Sequence, residues 1–113
     1  MSFVKHLGNA QHLRDLREFK KTLLVLVYSD TCKPCQRLKP ALFKRVRDDK
    51  LDLYMIKRTQ DDVVNTELGV GKIPHVSILK EGELRGQIQN SDIQVTWPYV
   101  QECLADFSMN EDF

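Results

Sequence analysis

Cysteine is scarce in this chain: three residues in 113, Cys32, Cys35 and Cys103. A secreted scaffold stapled by disulfides carries more, and an even number. An excess of one charge is also missing. Seventeen Lys and Arg stand against sixteen Asp and Glu, a formal net charge of +1. Neutralising phosphates favours a large basic surplus, so no nucleic-acid partner is expected. Long apolar runs are absent as well. The longest, Leu23 to Tyr28, falls far short of the roughly 20 residues that cross a bilayer, and no membrane association is expected. The opening Met1-Ser2-Phe3-Val4-Lys5-His6 has no apolar segment of the secretory type, which predicts an unexported, cytoplasmic protein. No linker, repeat or low-complexity stretch divides the chain, so residues 1–113 are expected to form a single domain. What is present, 42% hydrophobic and 29% charged residues, suits a chain with a genuine core.

The patterning alternates strands with helices. Residues 10–21 have helical spacing, with Arg14, Arg17, Lys20 and Lys21 as a solvated face. Residues 22–28 are an unbroken apolar, β-branched run, the mark of a central strand covered on both faces. Ser29 to Cys35 then switches to a helix that continues to about Asp49, with Pro34 in its first turn and Pro40 inside it, where a kink is expected. Residues 51–57 alternate as a strand: Leu51, Leu53 and Met55 on one side, Asp52, Tyr54 and Ile56 on the other. A short helix over 60–68 stops at Gly69. Strands over 75–80 and 83–89 flank Glu81-Gly82, a hairpin signal that predicts antiparallel pairing. The last helix is predicted from Trp97 to Phe107, with Thr96 as N-cap, Pro98 in the first turn and an apolar face of Val100, Cys103, Leu104 and Phe107. With a strand before the first helix, the order is (β)-α-β-α-β-α-β-β-α. Crossover helices make the first part parallel and the hairpin adds antiparallel strands, so an α/β fold is expected, a central mixed sheet with helices on both faces.

A close Cys-x-x-Cys pair in a reducing compartment is catalytic or metal-binding. Tetrahedral zinc needs four ligands, and the chain has no second Cys-x-x-Cys and no His-x-x-x-His. His6, His12 and His75 are scattered, so neither a metal nor another cofactor is expected. Cys103, on an apolar helix face, reads as an inert buried thiol.

The segment Leu23 to Cys35 resembles the approach to the active site in thioredoxins: a buried strand, a short loop, Cys-x-Pro-Cys, then a helix with a further proline. Gly71-Lys72-Ile73-Pro74 resembles the family's Ile-Pro loop, whose proline is cis, and His75 to Glu83 resembles its strand–turn–strand hairpin. The similarity runs from about residue 10 to about 107. It implies the thioredoxin fold and a dithiol–disulfide oxidoreductase acting on protein disulfides, re-reduced by a thioredoxin reductase or another thiol reductant, and monomeric. Cys32 would be the attacking thiolate, because a helix N-terminus stabilises an anion, and Cys35 the shielded resolving thiol. Pro74 would leave the backbone of Ile73 facing the cysteines, an edge on which a substrate strand can pair.

The chain also departs from that family. Leu26 occupies the place of the buried Asp beneath the active site, which removes the usual proton acceptor for Cys35. Thr31 replaces the Trp before the first cysteine. The dipeptide is Lys33-Pro34 instead of Gly-Pro. His75 follows the second proline, where a small hydroxyl residue is usual; it reads as a rim residue that is either idle or tuning the site. The glycine after the hairpin is missing around Ile88–Ser91. Lys57 matches the family lysine near the missing Asp and could favour the Cys35 thiolate. Two other functions fit the same residues. One is a glutaredoxin using glutathione, although its usual Tyr and Gly-Gly are absent. The other is a docking module in which the dithiol is incidental.

Overall fold

The computed structural model describes residues 3–105. It contains β1 (Val4–His6), α1 (Ala10–Glu18), β2 (Leu23–Tyr28), α2 (Lys33–Asp48), β3 (Asp52–Lys57), α3 (Asp62–Leu68), β4 (His75–Lys80), β5 (Glu83–Ile88) and α4 (Ile93–Leu104). One sheet holds all five strands in the order β1-β3-β2-β4-β5. β3 lies parallel to β1 and β2, while β4 is antiparallel to β2 and β5. The sheet is mixed, as the alternation of crossovers and hairpin implies.

β2 sits at the centre, and all six of its residues are buried. Its side chains alternate between two cores. Leu24, Leu26 and Tyr28 pack with Leu53, Met55, Val76 and Ile78 beneath α2 and α4. Leu23, Val25 and Val27 pack with Ile56 and Leu79 beneath α1 and α3. Helices therefore cover both faces, which explains why this strand reads as continuously apolar.

Local chemistry sets the element ends. α1 stops at Glu18, short of the expected 21, because Lys20 turns left-handed (φ 56°) and the Lys21 amide donates back to the Leu16 carbonyl at 3.1 Å. Gly69 ends α3 with φ 63°, as expected. α4 corrects the sequence reading. It begins at Ile93, not Trp97, and its N-cap is Asp92, whose carboxylate accepts from the Gln94 amide at 2.9 Å. Thr96 is buried inside the helix, its hydroxyl donating to the Asn90 carbonyl at 3.0 Å, and Pro98 falls in the second turn. A proline is a strong start signal, but it lacks only one N–H, and an Asp cap upstream with a buried Thr96, Trp97 and Val100 outweighs that loss. Phe107 lies outside the described residues.

Candidate functional site

The site is built where β2 ends. Leaving the sheet at Tyr28, the chain makes a tight loop: the Thr31 amide donates to the Ser29 hydroxyl at 3.3 Å and the Cys32 amide to the Ser29 carbonyl at 3.3 Å. Cys32 is the N-cap of α2, and Pro34 occupies the first turn, where its missing N–H costs nothing. The Gln36 side-chain amide reaches back to the Asp30 carbonyl at 2.6 Å and ties the loop to the helix. Cys32 and Cys35 are joined as a disulfide, their Cα atoms 5.2 Å apart.

The two sulfurs have different surroundings. Cys32 is half-buried, and its Sγ accepts a hydrogen bond from the Cys35 amide at 3.1 Å. Cys35 is 0% exposed, one turn into the helix, in the same cluster as Leu26, Leu38 and Val76. Lys33 and Pro34 are both exposed beside them. The second proline loop meets the site from β4. Val27 pairs with His75, so the residues before His75 lie at the end of the sheet where β2 hands over to the cysteines. The Ile73–Pro74 bond is cis, Pro74 is buried, and Ile73 packs on the cluster that holds Cys35, as Cys32 does. Among the described residues, no three His, Cys, Asp or Glu side chains converge as metal ligands.

Leu26 is also 0% exposed. The buried polar side chains among the described residues are His75, Ser77 and Thr96, none of them a carboxylate. Lys57 ends β3 beside Tyr28. Its ammonium pairs with Asp30 Oδ2 at 2.7 Å, which raises the lysine's pKa and lowers that of the carboxyl. It thus meets a carboxylate of the active-site loop, a partner that its place in the sequence does not announce.

His75 corrects the sequence reading most clearly. It is 0% exposed and therefore not at the rim. Its partner across the ladder, Val27, belongs to the core under α1 and α3, so the imidazole faces away from Cys35. Nε2 lies 2.8 Å from Ser77 Oγ, and Nδ1 lies 2.9 Å from the Gln89 side-chain nitrogen. Burial pushes its pKa down. Strand parity determines this: in β4, residues 75 and 77 share a face that 76 and 78 do not. Cys103 is partly buried, not fully, and packs on the core cluster under α4 with Gly86 of β5 opposite; a Cβ at Gly86 would stand 2.6 Å from its sulfur. His12 packs edge-on against Tyr54 at 5.5 Å, and Arg14 pairs with Glu67. Three neighbours of the site escape sequence reasoning: Asp30, Gln36 and Lys39. The Lys39 ammonium lies 3.7 Å from the centre of the Tyr28 ring, a contact between residues eleven apart that no local pattern announces.

The model of the thioredoxin family matches residues 3–96. A thioredoxin of Mycoplasmoides gallisepticum is 30% identical over 83 residues, covering 72% of this chain and 82% of that protein. Solved thioredoxin structures share the fold. The thioredoxin of Malassezia sympodialis (Mala s 13) superposes with a TM-score of 0.79 at 16% identity, over 90% of this chain and 94% of that one. Mitochondrial thioredoxin 3 of Saccharomyces cerevisiae, in its oxidised form, does so with a TM-score of 0.77 at 22% identity, over 88% and 94%. The family match extends from β1 into α4 and so takes in the cysteine pair with the sheet that presents it; this chain belongs to the thioredoxin family.

Proposed function

We propose that the chain is a protein dithiol–disulfide oxidoreductase in which Cys32 attacks and Cys35 resolves. The observation that carries this reading is the asymmetry of the two sulfurs: one half-exposed at a helix N-cap and hydrogen-bonded to a backbone amide, the other wholly buried one turn on. The N-terminal end of a helix carries roughly half a positive charge, which favours a thiolate at Cys32 over one elsewhere. That thiolate attacks one sulfur of a substrate disulfide. The other substrate sulfur leaves as a thiolate and takes a proton from solvent, and a mixed disulfide remains. Cys35, once ionised, attacks Cys32 Sγ, the second substrate thiol departs, and the enzyme keeps the disulfide. The substrate gains two electrons and the enzyme loses two. A thioredoxin reductase or another dithiol reductant restores the pair.

Ile73 and Pro74 serve as the edge on which a substrate segment pairs, supported by their position at the cysteine end of β4. With leucine at position 26, the proton of Cys35 passes to water instead of to a carboxylate. A reducing cytoplasm suits a chain with one reactive pair and one spare thiol. Among the described residues, no helix is long and apolar enough to cross a membrane.

The test is insulin reduction with dithiothreitol as the electron source. Acceleration over the blank is expected, and Cys35→Ser should trap the mixed disulfide on Cys32. No acceleration would leave a docking module with an incidental dithiol.

A further inference from the structure

Charge is unevenly distributed over this nearly neutral chain. α2 carries Lys33, Arg37, Lys39, Lys44, Arg45 and Arg47 against a single acidic residue, Asp48. At about 100° per residue, Lys33, Arg37, Lys44 and Arg47 fall within one arc of roughly 80°. That arc lies opposite the buried face of Cys35, Leu38, Leu42 and Val46. All four cations are exposed. Arg47 makes only a marginal contact, 3.9 Å to its neighbour Asp48, and among the described residues Lys33, Arg37, Lys44 and Arg45 enter no ion pair. Asp30, the carboxylate of the active-site loop, is already taken by Lys57.

The N-terminal part of this arrangement works against the helix that bears it, whereas Arg45 and Arg47 in the last turn suit its dipole. Lys33 stands at the positive end of the dipole with no acidic residue in the first turn, and Lys33 and Arg37 repel at i, i+4. Where local rules are broken, as at Lys33 and Arg37, a functional site is a usual reason. We propose that the outer face of α2 is a docking strip for an acidic polypeptide segment flanking the substrate disulfide; the inference deepens the oxidoreductase reading and rests on it. The strip starts one residue from Cys32, so a segment lying along it brings its own disulfide to the attacking sulfur. At 1.5 Å per residue the helix is about 24 Å long, the span of roughly seven residues of extended chain. About 16 Å along it, a recess of about 290 Å³ opens between α2 and α4, lined by Lys44, Arg45 and Asp48 beside an apolar surface of Ala41 and Ile93. Two cations against one carboxylate leave the recess net positive, which suits the stem and carboxylate of a Glu. A nucleic acid is the poorer occupant. The one aromatic residue of α2, Phe43, is packed against the core and offers no ring for base stacking.

The experiment uses three disulfide peptides with one cysteine loop and a seven-residue flank that is Glu-rich, Ser-rich or Lys-rich. A fourth, Glu-rich peptide has its cysteines replaced by serine. The full chain, reduced, is mixed with each disulfide peptide in stopped flow at low and at 0.5 M salt, and binding of the cysteine-free peptide is followed by fluorescence anisotropy. The acidic peptide should react about tenfold faster than the neutral one at low salt, with the advantage lost at high salt. The double variant R37E/K44E should reverse the preference towards the Lys-rich peptide while reducing hydroxyethyl disulfide as before. Equal rates for all flanks and no binding, with hydroxyethyl disulfide still reduced, would overturn the strip and leave the oxidoreductase standing. Salt-sensitive binding without reduction of any disulfide would do the opposite. A single-stranded oligonucleotide that binds more tightly than the acidic peptide would also overturn it.

Discussion

Leu26 and Cys35 lie in one buried cluster, each with 0% exposure, and no carboxylate is buried with them among the described residues. A thiol in apolar surroundings ionises reluctantly, because burial disfavours the charged form. Resolution of the mixed disulfide should therefore limit turnover near neutral pH. Leu26→Asp supplies an acceptor at the matching face of β2. General-base help is worth on the order of 10²–10⁴, so release at pH 7 should rise by about tenfold or more even with imperfect geometry. The variant should lose roughly 3 kcal/mol of stability, having exchanged a packed leucine for a buried carboxyl. Rapid mixing at a temperature where circular dichroism reports a folded protein measures the release. An unchanged rate in folded Leu26→Asp would refute the proton-acceptor argument.

Reduced Cys32 should react with iodoacetamide at least about tenfold faster than Cys103, and Cys35 should react last. Cys32 combines partial exposure with a helix N-terminus, Cys103 is partly buried without one, and Cys35 is buried. Lys33, exposed beside Cys32, adds a screened attraction to its thiolate, so Lys33→Gly should lower the potential of the couple by under about 30 mV. Time-resolved mass mapping checks the order of reaction. Alkylation of Cys103 ahead of Cys32 would reverse the assignment of the nucleophile.

Gly82 holds the β4–β5 hairpin against the end of α1. Its φ is 84°, its amide donates to the Lys21 carbonyl at 3.0 Å, and its own carbonyl accepts from Arg17 Nε at 3.0 Å. A Cβ there would overlap the Arg17 carbonyl and press on Lys20 Cα at 3.2 Å. Gly82→Ala should cost roughly 2–4 kcal/mol in urea unfolding, since left-handed strain and backbone displacement add. Gly71→Ala, where a Cβ meets nothing within 4 Å, is the control and should stay within about 0.5 kcal/mol. Equal effects of the two substitutions would show that the hairpin contact contributes little.

The sequence makes the strands legible because hydrophobic period and burial agree: the unbroken run of β2, the alternation of β3 and the Glu81-Gly82 turn each match one physical requirement. The cysteine pair is legible because its spacing, its proline and its strand-to-helix setting recur together. The start of α4 is not, since Pro98 reads as a first-turn residue, while the Asp92 cap and the packing of Thr96 and Trp97 place the helix earlier. Nor is the setting of His75. Its neighbour Pro74 suggests the rim, but the parity of β4 sends the imidazole into the opposite core. Long-range pairings such as Lys57 with Asp30 depend on which strand ends meet, which residue spacing does not encode.

His75 should make folding stability depend on pH in a definite direction. Its ring is 0% exposed, held by Ser77 Oγ at 2.8 Å and the Gln89 side-chain nitrogen at 2.9 Å. With that amide nitrogen donating to Nδ1, the ring is neutral and donates through Nε2 to the hydroxyl. A second proton would face a donor and would leave a cation with no buried carboxylate among the described residues. Burial accordingly lowers the pKa from the ordinary 6.5. The unfolded chain, with its ring in water, then binds the proton at a higher pH than the folded one. Between the two values the unfolded state holds more protons, so stability rises with pH through that window. The contribution of His75 is complete above about pH 6.5 and is lost as pH falls below it, by at most about 1.4 kcal/mol per pH unit for a single proton. Urea midpoints measured from pH 8 to 5 should be flat down to about pH 6.5 and then decline. His75→Gln, which keeps an amide in place of the ring and cannot titrate, should flatten the stretch between about pH 6.5 and 5.5 and leave the carboxylate-driven loss at lower pH. The same slope in wild type and His75→Gln across that interval would mean that the proton is taken up elsewhere.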